Sequence, residues 1–292
     1  MCPGQVYFPL PTVGFFVFCV TNQIPLMKNI FVRAIASSAG LVMVAAGLTG
    51  CTTVPVTGRS QLNMMGIGEE MQLGLTSFDQ LKKETPISRD AAANALIQKV
   101  GHRIAAVAGK DMPNAQWEFV VFESKEVNAF CLPGGKVGVY TGILPITKDE
   151  SGLATVLGHE IAHAVARHGG ERMTDAMLVQ GGGQLVGALA SSDPKVQQAS
   201  LLAYGVVSKV GAELPHSRLQ ESEADHIGLV YMARAGYHPE ASVAFWQRFA
   251  AFNSQQGGQT PAFLRTHPTD QKRIQQLMTW LPEAKAQFQA AP

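Results

Sequence analysis

Charge is the first thing this sequence has little of. Only 15% of its 292 residues are Asp, Glu, Lys or Arg, and they balance to +1. That removes the electrostatic case for a nucleic-acid partner, which needs a basic patch or stripe. No acidic residue precedes Glu69. Cysteine is scarce as well: Cys2, Cys19, Cys51 and Cys131 match neither a zinc ribbon nor a C-x-x-C pair. Internal repeats are absent, and little chain follows Leu281, so no added helical-repeat domain is expected. Hydrophobic residues, by contrast, make up 46% of the chain, enough for the core of one sizeable domain or two small ones.

The N-terminus reads as targeting sequence. Met27 to Arg33 is a short basic segment and Ala34 to Ala46 an apolar run of small residues. Leu48-Thr49-Gly50-Cys51 then resembles the lipobox of bacterial lipoproteins. Residues 27–50 are therefore expected to be a signal peptide, with Cys51 the lipidated first residue of the mature chain. Thr52 follows it instead of the Asp that retains many such lipoproteins at the inner membrane. The expected location is the periplasm, anchored to the outer membrane. A single membrane-spanning anchor is the rival, but the run is short for a span and Gly-rich. Residues 1–26 carry no charge and hold Pro3, Pro9, Pro11 and Pro25, so translation is expected to start at Met27. With Cys51 lipidated, Cys131 is the only cysteine left and no intramolecular disulfide can form. Residues 51–66 read as a Pro/Gly/polar tether, and residues 67–292 as the folded domain.

The centre of that domain is His159-Glu160-Ile161-Ala162-His163. Leu153, Val156, Leu157, Ile161 and Val165 recur at helical spacing, so Leu153 to His168 reads as one helix. Thr147 with Glu150 opens it as a capping box, and Gly169-Gly170 closes it. On a helix, His159 and His163 share a face. Two neutral imidazoles so placed can bind one zinc ion, with Glu160 beside a water that zinc acidifies. The competing reading is a core helix with two partnered histidines. A catalytic zinc wants a third protein ligand. His168 does not suit, because the metzincin spacing places Gly and His at positions held here by Ala166 and Gly169. It reads as a solvated residue at the helix end.

The third ligand is sought downstream, in Ser217 to Asp225. Ser217 and Gln220 make a capping box, and Glu221 and Asp225 then share a helix face. Glu221 would complete a two-histidine, one-glutamate site. Asp225 could hold a ligand imidazole by its second nitrogen or hydrogen-bond a reacting group. The alternative is a solvated acidic face. Glu223 falls on another face and is set aside.

HEIAHAVARHG, SRLQESEAD and THPTDQKR, in that order, resemble the M48 zinc metallopeptidases, a family that includes bacterial periplasmic lipoprotein proteases and a mitochondrial inner-membrane relative. The likeness runs from about Val54 to Leu281. It implies one Zn2+ per chain on His159, His163 and Glu221, Glu160 as general base, and Asp225 as a second catalytic acid. It also implies unfolded or misassembled envelope proteins as substrates, in protein quality control, and a link to the outer-membrane assembly machinery.

The remaining segments are placed around this centre. Gly68 to Lys83 and Ser88 to Ala108 read as helices, the second capped by Ser88. Trp117–Phe122, Val127–Leu132 and Lys136–Tyr140 read as strands, with Pro133-Gly134-Gly135 as a turn. In zincin proteases a sheet edge borders the cleft, so Asn128, Ala129 and Phe130 are candidates for a substrate-binding edge; a plain structural hairpin is the alternative. The Gly-rich stretch 177–210 reads as two helices, the second capped by Asp193; core, a membrane-touching surface and a mobile cover are the open readings, and a helical cover packed near the site is the one expected. Phe245, Phe249 and Phe252 read as core. His267-Pro268 either begins the helix carrying Arg273 or, as the family's His-Pro motif suggests, brings His267 to the zinc as a latch. Arg273 is expected to pair with a carboxylate and support the site. The fold expected is α+β, a mostly helical zincin-like domain with a small sheet beside the cleft. Its activity is zinc-dependent peptide hydrolysis; the alternative is a zinc-stabilised chaperone in which His267 is a permanent fourth ligand.

Overall fold

The computed structural model describes residues 51–292, apart from 191–192, 210–213, 257–259, 269 and 290–292, and gives no side-chain environment for 214–216. The leader read over 1–50 lies outside the described residues. The elements run β1 (Cys51–Thr53), β2 (Ser60–Leu62), α1 (Ile67–Glu84), α2 (Ala91–Ala108), β3 (Glu118–Phe122), β4 (Ala129–Leu132) and β5 (Lys136–Tyr140). They continue with the short α3 (Leu144–Thr147), then α4 (Glu150–Val165), α5 (His168–Leu189), α6 (Pro194–Ser208), α7 (Leu214–Arg234), α8 (Glu240–Ser254), α9 (Ala262–Thr266) and α10 (Gln271–Ala286). This is the mostly helical α+β architecture expected.

Helix α4 is the axle of the fold. Asp149 caps it, its side chain accepting from the Gly152 amide at 2.8 Å. Every residue from Gly152 to Val165 is buried, so the helix has no solvent face and is packed on all sides, by α2, α7, α8 and β4. The closest of these neighbours is α7. At their crossing Gly158 faces Gly228; a Cβ on Gly228 would stand 2.8 Å from the Gly158 carbonyl carbon and the His159 amide. Only two glycines let the backbones approach this far. The core continues through Leu157, Ile161 and Tyr231 into an aromatic stack of Phe245, Trp246, Phe249 and Phe263, all fully buried. Each such side chain contributes about 1.5–3 kcal/mol. Phe245 and Phe249 are core as expected, with half-buried Phe252 against them.

The sheet is mixed, in the order β3-β5-β4. Strand β5 is central and buried along its whole length, parallel to β3 and antiparallel to β4. Gly134 and Gly135 at φ +84° and +83° make the turn that brings β5 back beside β4. Strand β4, at one edge of this sheet, packs against α4.

Several expectations are corrected. The helix read as Leu153–His168 is two: α4 ends at Val165, Arg167 turns left-handed at φ 55°, and α5 starts at His168. The glycines read as a stop lie inside α5, and Asp149 replaces the Thr147 cap. Asp90, accepting from the Ala92 and Ala93 amides, replaces Ser88 at α2. Helix α7 begins at Leu214, upstream of the Ser217 box. Asp270 caps α10, so His267 does not open that helix; it follows α9.

The 51–66 segment is not a tether among the described residues. Cys51–Thr53 pairs antiparallel with Ser60–Leu62, and Val54, Gln61, Asn63 and Met65 are buried. Proline and glycine mark tight turns as well as linkers, and here Pro55 and Gly58 serve the turn. The pair of helices expected over 177–210 forms, with Asp193 capping α6. It does not cover the site. Helix α6 has no buried residue and packs on α5, leaving Leu185, Leu189, Leu202, Val206 and Val207 exposed.

Candidate metal centre

Helix α4 points both histidines toward α7, which supplies Glu221, and the segment after α9 brings His267 in from the other side. The Nε2 atoms of His159 and His163 stand 3.1 Å apart. Glu221 lies 3.3 Å from each of them. His267 Nδ1 is 3.1 Å from His159 Nε2 and 3.0 Å from both Glu221 oxygens. Four donors therefore converge, all within 4.8 Å of one another. Ligand atoms about 2.0–2.1 Å from a tetrahedral zinc stand roughly 3.3 Å apart, so these spacings and this N/O donor set fit such an ion.

Glu160 lies beside the cluster. It is buried, and its Oε1 has no hydrogen-bond partner among the described residues. His267 Nε2 is 3.4 Å from it, outside hydrogen-bond geometry. Burial pushes the Glu160 carboxyl up, against the pull of His267 and His159. A buried acceptor left unsatisfied costs about 1–3 kcal/mol, which marks it as a group kept for a ligand or substrate.

Each histidine of the cluster's first helix is gripped from behind. His159 Nδ1 is 2.9 Å from Asp225, and Arg273 holds that carboxylate in a fork, with two bonds of 2.7 Å. The guanidinium lies over the Trp246 ring, 3.5 Å from its centre. Burial works to raise Asp225, but the Arg273 charge and the His159 bond hold it below its ordinary range. Burial likewise works to lower His159, but the bonds to Asp225 and Glu221 lift it to about 9. Burial raises Glu221 too, and its three imidazole neighbours outweigh that and lower it. Asp225 thus contacts the second nitrogen of the His159 ring. Arg273 pairs with a carboxylate as expected, and the carboxylate is Asp225.

On the other side His163 Nδ1 meets His168 Nδ1 at 2.8 Å, and His168 Nε2 meets Glu223 at 3.0 Å. His168, read as solvated, is fully buried because the break at Arg167 folds it back against His163. Burial lowers both imidazoles. Glu223, set aside as off-face, is buried: burial opposes, but His168, Thr57 and Arg59 bring its carboxyl below the ordinary range. Arg59 and Glu171 complete this layer and were missed. One signal was available, since Arg59 is the sole charged residue between Arg33 and Glu69. Asn128, Ala129 and Phe130 lie at the sheet edge where they were placed, hydrogen-bonded to β5 on one side. Cys51 is exposed at the start of β1, and burial raises the Cys131 thiol.

An all-buried helix bearing His-Glu-x-x-His, a carboxylate from a second helix and a sheet edge alongside define a zincin-like metalloprotease. Comparison with known proteins makes the class specific. The family model described as Peptidase family M48 matches residues 91–281, and the chain belongs to that family of metalloendopeptidases. Members use zinc, and the His/Glu cluster could bind a metal. The mitochondrial metalloendopeptidase OMA1 of Schizosaccharomyces pombe is 37% identical over 237 residues, covering 80% of this chain and 67% of that protein. The human mitochondrial metalloendopeptidase OMA1 is 32% identical over 85% of this chain and 49% of its own length. The β-barrel assembly-enhancing protease of Escherichia coli K12 is 28% identical over 85% and 51%. The chain spans about half the length of the last two.

These comparisons correct the compartment. The relatives at 32–37% identity carry mitochondrial names, which points to mitochondria and away from an outer-membrane lipoprotein in the periplasm. A shortage of acidic residues does not separate the two addresses, because organellar transit peptides are acid-poor as well, and no acidic residue precedes Glu69 here.

Proposed function

We propose that the chain is a zinc endopeptidase in which His159, His163 and Glu221 hold the ion and Glu160 is the general base. The observation that carries it is the orphaned Oε1 of Glu160 beside four converging donors. Zinc, when bound, polarises the scissile carbonyl and acidifies water. Glu160 accepts the proton of the attacking water and returns it to the leaving amine. Its raised proton affinity suits that exchange, and a base of this kind contributes about 10²–10⁴-fold. Asp225 and Arg273 fix the His159 ring. The substrate lies as an extended strand along β4, next to Asn128, Ala129 and Phe130, and comes from unfolded or misassembled proteins. The E. coli relative's printed role in β-barrel assembly supports that substrate class and a tie to such machinery.

His267 is a latch in this proposal. It fills the fourth donor position, and the Phe263 amide at the head of α9 donates to Val127 just ahead of β4. A strand docking on that edge would disturb the segment carrying His267.

The decisive experiment is digestion of an unfolded protein by the purified chain and by Glu160→Gln, with zinc content measured in both. Loss of cleavage with zinc retained is the expected result. Equal cleavage by both proteins would remove Glu160 from the mechanism.

A further inference from the structure

We infer that Arg59, far upstream of every metal ligand, is a positioning residue for the zinc through a relay of Glu223 and His168 to His163. The inference rests on His163 being a ligand, as proposed above.

The relay follows from atom-by-atom chemistry. A ring nitrogen that binds a metal carries no proton, and His163 Nε2 is the atom facing His159 and Glu221. The neutral His163 ring therefore has its proton on Nδ1. That proton points at His168 Nδ1, 2.8 Å away, so His168 accepts there and carries its own proton on Nε2. The latter is donated to Glu223 at 3.0 Å. Only a carboxylate held in one rotamer can close this chain, and Arg59 holds it. Arg59 Nε donates to Glu223 at 2.7 Å, while the other end of the guanidinium grips Glu171 at 2.7 and 2.9 Å. The Thr57 hydroxyl donates to the other Glu223 oxygen.

The four residues of this layer that Arg59 holds or reaches through Glu223 sit on three helices. His163 is on α4, His168 and Glu171 on α5, and Glu223 on α7. Arg59 is presented by the turn between β1 and β2, which Gln61 fastens to the carbonyl of Ala166 at 2.8 Å. The hairpin thus straps together the two helices that bear the ligands. His168, Glu223 and Glu171 are almost wholly buried, so bulk water cannot stand in for a lost partner. The opposite ligand, His159, has its own holder in Asp225 and Arg273. The centre is braced once from the C-terminal helix and once from the N-terminal hairpin.

The test is zinc affinity of the full chain by chelator competition, with the visible spectrum of the cobalt(II)-loaded form as reporter of ligand geometry. Partners of ligand imidazoles typically account for about 10–100-fold in metal affinity. His168→Ala, Glu223→Gln and Arg59→Ala should each weaken zinc binding within that range and shift the cobalt bands. His168→Asn, whose amide oxygen can accept from His163, should recover most of the affinity. Glu223→Gln is isosteric and carries the test should Arg59→Ala not fold. Parent affinity and an unshifted cobalt spectrum in Glu223→Gln and His168→Ala would overturn the relay. The His163→Ala variant separates this from the underlying assignment: if it binds zinc as the parent does, the ligand set is wrong and the relay falls with it.

Discussion

Replacing Gly228 with alanine adds one methyl group two helical turns from Glu221, and its nearest neighbours are backbone atoms of Gly158 and His159. Its effect can be worked out. The new Cβ would stand 2.8 Å from the Gly158 carbonyl carbon and from the His159 amide, and 3.0 Å from the Gly158 oxygen. Carbon atoms rest at about 3.5–4.0 Å, so α4 and α7 must separate by roughly 0.7–1.2 Å. Both neighbours are backbone in a fully buried helix and have no rotamer to escape into. Overpacking of this kind costs about 1–3 kcal/mol, against a helix-propensity gain of about 1 kcal/mol for Gly→Ala. The steric term wins. The same displacement carries Glu221 away from His159 and His163. Urea unfolding of the zinc-free chain and zinc affinity should therefore both fall. Gly181→Ala is the control, since a Cβ there meets nothing within 4 Å; it should stabilise by about 0.5–1 kcal/mol and leave zinc untouched. If Gly228→Ala matches this control in both measurements, the close crossing is not what sets the ligand geometry.

His267→Ala should raise turnover of an unfolded substrate while leaving zinc bound by the other three donors; unchanged rates would remove the latch. Ala129→Pro should slow proteolysis with zinc content intact, and full activity would exclude β4 as the substrate edge. Asp225→Asn breaks a buried pair, for which about 3–5 kcal/mol is typical, read by urea unfolding of the zinc-free chain. Because the folded Asp225 titrates below its unfolded value, the unfolded chain binds more protons and the stabilisation holds above about pH 3.9. It is lost as pH falls through the folded value, so the gap between parent and variant should close on acidification; a gap that widens would reverse the assignment. Saturating zinc at a thousandfold over its Kd should add about 4 kcal/mol, and chelation should lower the melting temperature of the parent but not of His159→Ala.

The convergence of His159, His163 and Glu221 was legible because they lie at helical spacings on two short motifs. His159 and His163 needed only the period of one helix, and Glu221 and Asp225 that of another. The sheet edge was legible from strand composition and the Pro-Gly-Gly turn. The layer behind His163 was not. Arg59 meets Glu171 across 112 residues and Glu223 across 164, and no local pattern encodes such a pairing. His168 was hidden by Arg167, a non-glycine residue in a left-handed conformation. The helix break came earlier than the glycine pair that advertised it. The two helices of 168–208 were visible from caps and apolar content, yet their outward placement is a property of the packing and has no sequence period.

The order in which the chain is made gives the spread of the donors one more meaning. His159 and His267 are 108 residues apart. At about 5–20 residues per second, synthesis takes roughly 5–20 s to pass from one to the other. During that interval Glu160 already exists on its helix, but Glu221 comes late and the Arg273 brace later still. The four donors can converge only after the chain has been made as far as His267, so no shorter N-terminal fragment carries the whole cluster.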